Sequence, residues 1–92
     1  MARIKVERPH SLGLAGARAK AEQLAERLAS EYEVRYRWAG DRLEFKRSGV
    51  DGVIEVSADS VRVELSLGLL LSAMSGRIKG EIERTLDKSL QA

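Results

Sequence analysis

The chain has 92 residues, with no cysteine, one proline and one histidine. That length predicts a single small domain, and the missing cysteines exclude disulfides, cysteine-ligated zinc and thiol catalysis. Sixteen basic and 14 acidic residues leave a net charge of +2, too balanced for a dedicated nucleic-acid binder. A composition of 43% hydrophobic and 33% charged residues is that of a folded chain. The longest apolar stretch, Leu67 to Leu71 around Gly68, falls far short of the roughly 20 residues of a membrane span. The alternating start, Met1-Ala2-Arg3-Ile4-Lys5, lacks a signal-peptide core, so the expected location is the cytoplasm.

Arg3 to Arg8 alternates, with Ile4 and Val6 on one side, and reads as a strand stopped by Pro9. From Leu14 to Leu28 the period becomes helical: Leu14, Ala17, Ala21, Leu24, Ala25 and Leu28 form one stripe. Ser11 or Gly13 is the expected cap. Strand alternation then returns. Val34, Tyr36 and Trp38 precede a turn at Ala39-Gly40, and Leu43 and Phe45 precede a turn at Ser48-Gly49-Val50-Asp51. Placing Gly49 at the first central position gives a type II′ hairpin. Ile54 and Val56 lead through Ala58-Asp59 into Val61, Val63, Leu65 and Leu67.

With these turns Tyr36 faces Leu43, Val34 faces Phe45, Phe45 faces Ile54, and Ile54 faces Val63. The opposite face then carries the row Arg35–Glu44–Glu55–Arg62 and the row Glu33–Lys46–Val53–Glu64. Opposite charges meet at most contacts; Glu44 beside Glu55 is the exception. The chain closes with a helix over Ser72 to Leu90, striped by Met74, Ile78, Ile82, Leu86 and Leu90. Gly76 and Gly80, each costing about 1 kcal/mol relative to alanine, weaken its first half. The pattern β-α-β-β-β-β-α predicts an α+β two-layer sandwich. Its antiparallel sheet takes the order 1-5-4-3-2 and carries two helices on one face.

Signals for chemistry are sparse. His10, the only histidine, has Glu7 as its nearest carboxylate in sequence and Ser11 beside it, and nothing in the sequence fixes their geometry. No nucleophile elbow, Walker motif or dinucleotide glycine motif occurs. Asp41, Asp51, Asp59 and Asp87 match no calcium loop. No metal, cofactor or catalytic residue is therefore expected, and a non-enzymatic role is. The arginines of the predicted sheet face interleave with glutamates, while Tyr36 and Trp38 alternate onto the other side, so no base-stacking platform forms. The most unusual feature is Leu67, Leu69, Leu70, Leu71 and Met74. Such a run fills the end of a core or forms a patch for a protein partner, a lipid-like surface or a second copy of the chain.

Several stretches together resemble a known family: Ile4-Lys5-Val6-Glu7-Arg8-Pro9-His10-Ser11-Leu12-Gly13, Tyr36-Arg37-Trp38, Gly40-Asp41-Arg42-Leu43, Arg47-Ser48-Gly49-Val50-Asp51-Gly52, Val61-Arg62-Val63 and Gly76-Arg77-Ile78. The chain is similar to the bacterial polyhydroxyalkanoic acid system proteins over nearly its whole length. That resemblance implies an accessory role in storage-polyester metabolism, acting on a protein partner or the granule surface, and marks Arg8 and His10 as motif residues. It implies no catalytic residues. The 69–74 stretch departs from the family pattern, which is bulkier and more basic there. An alternative expectation is a module for an acyl or other hydrophobic ligand, held between sheet and C-terminal helix and lined by Tyr36, Trp38, Phe45 and Ile82.

Overall fold

The computed structural model describes residues 2–90. Alternation of small β-branched residues with charged ones builds five strands: β1 (Ala2–Pro9), β2 (Arg35–Ala39), β3 (Arg42–Arg47), β4 (Val50–Val56) and β5 (Ser60–Leu67). They form one antiparallel sheet in the order β1-β5-β4-β3-β2. The alanine-striped helix α1 (Gly13–Tyr32) buries Ala17, Ala21, Leu24, Ala25 and Leu28, and it runs longer than the stripe. Leu14, the first residue of the predicted stripe, is not in the core and is 37% exposed. The expected side-chain cap is absent: Leu12 holds the N-cap position without a side-chain bond, and His10 Nδ1 accepts its N–H at 3.1 Å.

The last helix begins differently from the expectation. A single turn, α2 (Leu69–Ser72), is separated from α3 (Ser75–Ser89), whose buried stripe is Ile78, Ile82 and Leu86. Both long helices lie on the face made by Ile4, Val6, Leu43, Phe45, Ile54, Val56, Val61, Val63 and Leu65, all buried. The other sheet face is bare.

Strand parity agrees with the sequence, but two registers shift by two residues. Tyr36 faces Phe45 rather than Leu43, and Phe45 faces Gly52 rather than Ile54. Val34 precedes β2 and has no partner in the ladder. Ile54 does face Val63. The cause lies in the turns. The first loop is Gly40-Asp41 and the second is Ser48-Gly49, so Gly40 (φ 64°) takes the first central position and Gly49 (φ 84°) the second. The resulting charge rows are Arg42–Glu55–Arg62–Glu7, Arg37–Glu44–Val53–Glu64–Lys5 and Arg35–Lys46–Asp51–Ser66–Arg3. The like-charged contact of Glu44 with Glu55 disappears, and Arg62 reaches both Glu55 (3.7 Å) and Glu7 (3.9 Å).

Gly52 is required by packing. A Cβ there would sit 2.1 Å from Leu65 Cδ2 and 2.7 Å from the Glu64 carbonyl oxygen. The Leu65 side chain thus fills the space above the glycine, level with Phe45 across the strand.

Candidate functional site

The leucine run splits into two populations where β5 ends. Parity points Leu65 and Leu67 inward, and both are buried. Gly68 breaks the strand by running close against the β3–β4 turn: its N–H donates to the Gly49 carbonyl at 2.8 Å, and its own missing Cβ would lie 3.3 Å from Gly49 Cα. The single turn α2 starts there. Ser72 locks it, its N–H donating to the Gly68 carbonyl at 2.9 Å and its hydroxyl donating to the same oxygen at 2.8 Å. One turn of helix cannot bury all its leucines against one surface. Leu71 and, just beyond the helix, Met74 pack partly against the core, whereas Leu69 is 83% and Leu70 93% exposed.

Beside this knuckle runs a groove between the end of α1 and the start of α3, lined by Tyr32, Glu33, Arg47, Leu71, Met74 and Arg77 among others. Arg47 donates to the Tyr32 carbonyl at the helix C-terminus, where a cation is favoured. Glu81, at the rim, is held below the usual carboxylate range, chiefly by its hydrogen bond from Arg27, with Arg84 adding to it. The Tyr32 hydroxyl is buried and has no hydrogen-bond partner among the described residues, and burial pushes its titration upward. Behind Tyr32 and Leu71 lies an apolar cavity of about 20 Å³ that Leu28, Phe45, Leu65, Leu67 and Ile78 help to enclose. That volume is of the order of one water molecule.

The other residues singled out by sequence converge only in part: Tyr36 and Phe45 are cross-strand partners with ring centroids 6.3 Å apart. Phe45 lines the small cavity, while Ile82 is fully enclosed beneath α3. Tyr36 and Trp38 lie on the edge strand under α1. Trp38 Nε1 donates to Glu22 at 2.6 Å, and the Arg18 guanidinium stacks on the indole with its carbon 4.0 Å from the ring centroid. Glu22 also acts on Tyr36: its neighbouring carboxylate, reinforced by burial, raises the phenol to about 12, and the Glu22 carboxyl is lowered in turn. Arg18 then donates to Asp41 at 3.0 Å and to the Gly40 carbonyl at 2.6 Å, which ties the β2–β3 turn to α1. The i,i+4 spacing of Arg18 and Glu22 was the readable trace of this cluster.

The motif residues Arg8 and His10 are also structural links. Arg8 reaches from β1 to α3, donating to Asp87 at 2.8 Å and Glu83 at 3.4 Å. His10 uses both ring nitrogens: Nδ1 accepts from Leu12, and Nε2 lies 3.1 Å from the Ser57 carbonyl oxygen, to which it donates. Glu7 pairs with Arg62 instead. Among the described residues no group of three or more histidines, aspartates and glutamates is placed to hold a metal ion. No helix of these residues is long and apolar enough to cross a membrane.

Comparison with known proteins places these features. No curated protein matches the chain. Among solved structures, the NMR structure of PA4090 from Pseudomonas aeruginosa superposes with a TM-score of 0.61 at 11% identity, covering 100% of this chain and 88% of that one, and so shares the fold. The family model described as "Putative polyhydroxyalkanoic acid system protein" matches residues 4–90. That span includes the strand-to-helix motif, both long helices and the leucine knuckle, and the chain belongs to that polyhydroxyalkanoic acid system family.

Proposed function

We propose that the protein is a non-enzymatic accessory component of storage-polyester metabolism, working in the cytoplasm, that docks on the granule surface through Leu69 and Leu70. The observation that carries this reading is the pair of adjacent leucines standing 83% and 93% in solvent on a turn otherwise pinned by Ser72, Gly68 and Gly49. Burying a leucine contributes about 1.5–3 kcal/mol, so burying both contributes about 3–6 kcal/mol before the cost of immobilising the protein. That suits reversible attachment. Leu71 and Met74 root the knuckle, and Leu67 anchors it as part of the core. The membership of a polyhydroxyalkanoic acid system family supports a polyester surface as the partner.

The acyl-ligand reading has less support. The space behind Phe45 is about 20 Å³, Ile82 is enclosed by side chains, and Tyr36 and Trp38 are engaged by Glu22 and Arg18. The test is co-sedimentation of purified protein with protein-free polyester particles. Wild type should pellet, and a Leu69→Ser/Leu70→Ser variant with an unchanged circular dichroism spectrum should stay in solution. Equal pelleting of the two would refute the knuckle. Loss of a dimer in the variant, with no particle binding by either form, would assign the leucines to self-association instead.

A further inference from the structure

Resting on that docking reading, we infer that the granule surface the knuckle meets also carries anionic lipid: the leucines insert into the apolar surface while a basic rim holds phosphate headgroups. Basic side chains surround the apolar tip. Arg47 and Arg77 flank Leu71 and Met74 in the same groove, and both are exposed. Arg3 lies at the same end of the sheet but on its bare face, one register step from the pair Ala2–Leu67. None of these three arginines has an ion-pair partner among the described residues. Lys46, at the same end of the sheet, meets Asp51 only at 3.9 Å.

The carboxylates nearby are mostly neutralised. Glu31 and Glu81 are paired with Arg27, and Glu81 with Arg84 as well, which leaves Glu33 as the groove's carboxylate without an ion pair among the described residues. At the far end of the sheet Arg62 is shared by Glu7, Glu55 and Glu64, and Arg8 by Glu83 and Asp87, while Arg42 and Lys88 have no ion pair among the described residues. With Arg35, four arginines without an ion pair among the described residues thus stand at the knuckle's end of the sheet, Arg47 among them being held by the Tyr32 and Ser48 carbonyls. An uncharged apolar surface would gain nothing from that rim, whereas an anionic lipid surface attracts each basic residue by roughly fivefold in affinity. Arg77 is the cleanest reporter, since its side chain makes no hydrogen bond or ion pair among the described residues and it begins the exposed flank of α3.

Three probes decide the matter: vesicles of phosphatidylcholine alone, vesicles of phosphatidylcholine with phosphatidylglycerol, and lipid-free polyester particles. The inference predicts binding at least about tenfold tighter to the phosphatidylglycerol vesicles than to the neutral ones, weakened by salt. Arg77→Glu should lose that preference by roughly fivefold or more while binding polyester particles as wild type does. Leu69→Ser/Leu70→Ser should lose binding to all three. Equal binding to both vesicle types overturns the anionic-lipid assignment and leaves apolar docking standing. Vesicle binding that survives the double serine variant overturns insertion by the leucines, and binding to none of the three overturns both readings.

Discussion

Replacing Gly52 by alanine tests the packing that shapes the sheet beneath α1 and α3. The new Cβ would stand 2.1 Å from Leu65 Cδ2 and 2.7 Å from the Glu64 carbonyl oxygen. Leu65 cannot swing freely, because it is 96% buried among core residues that close the small cavity. Overpacking of this kind costs about 1–3 kcal/mol, more than the roughly 0.4–1 kcal/mol that alanine returns by stiffening the unfolded chain. In a chain of this size each kcal/mol lowers the melting temperature by about 4–8 °C. Leu65→Ala alone should cost about 2–5 kcal/mol. The double variant should then be less unstable than the sum by about 1–2 kcal/mol, since one of the two clashes is gone and the backbone one remains. Urea unfolding of all four proteins completes the cycle. A neutral or stabilising Gly52→Ala, or strictly additive effects, would refute the packing argument.

Three further outcomes follow from single side chains. Tyr32→Phe removes a buried hydroxyl that has no hydrogen-bond partner among the described residues, so stability should stay level or rise by up to about 1 kcal/mol; a clear loss in thermal unfolding would reveal a bond to that oxygen. Tyr36 is raised above its unfolded value of 10 to about 12 by Glu22, so its neutral form is favoured in the fold; its contribution is complete below pH 10 and is lost as pH climbs from 10 to about 12. Tyrosinate absorbance titration in a Tyr32→Phe background should show this, and Glu22→Gln should bring the midpoint down toward 10; an unmoved midpoint would contradict the assignment. His10→Ala leaves the Leu12 N–H and the Ser57 carbonyl without the ring between them, and should cost about 1–2 kcal/mol in chemical unfolding while particle binding is untouched. Lost particle binding in a folded His10→Ala protein would give the histidine a role at the surface.

The sheet order was legible because short turns chain β2 to β5 as a meander and strand direction lets β1 lie antiparallel beside β5, while periodicity sets the buried face. Ile4 and Val6, Leu43 and Phe45, and Val61 through Leu67 can bury only one side each. The registers of β2 with β3 and β3 with β4 were not, because a shift of two residues preserves that parity. What selects them is which turn residue takes positive φ, and both Gly40 and Gly49 offer it at different turn positions. The unfavourable Glu44–Glu55 contact was the visible sign of the wrong choice, and the actual pairing of Arg42 with Glu55 removes it. The gap between α2 and α3 was hidden because Met74 continues the apolar spacing of Ile78 and Ile82 across it. Sequence could mark the leucine run but could not divide it. After Gly68 ends the strand, parity no longer applies, and the sorting of Leu69 and Leu70 from Leu71 depends on the angle at which one turn of helix leaves the Gly49 carbonyl. The Glu22–Trp38–Arg18 cluster needed α1 and β2 side by side, which no local pattern specifies.

The absence of cysteine makes the central claim directly measurable, since one introduced thiol carries one label. An environment-sensitive fluorophore at Leu70→Cys samples the knuckle, and the same dye at Ala58→Cys, in the exposed turn at the opposite end of β5, samples a surface that should remain in water. On addition of polyester particles the account predicts a blue shift and loss of quencher access at position 70 and no change at position 58. A label at 58 that shifts while the one at 70 stays solvated would contradict it.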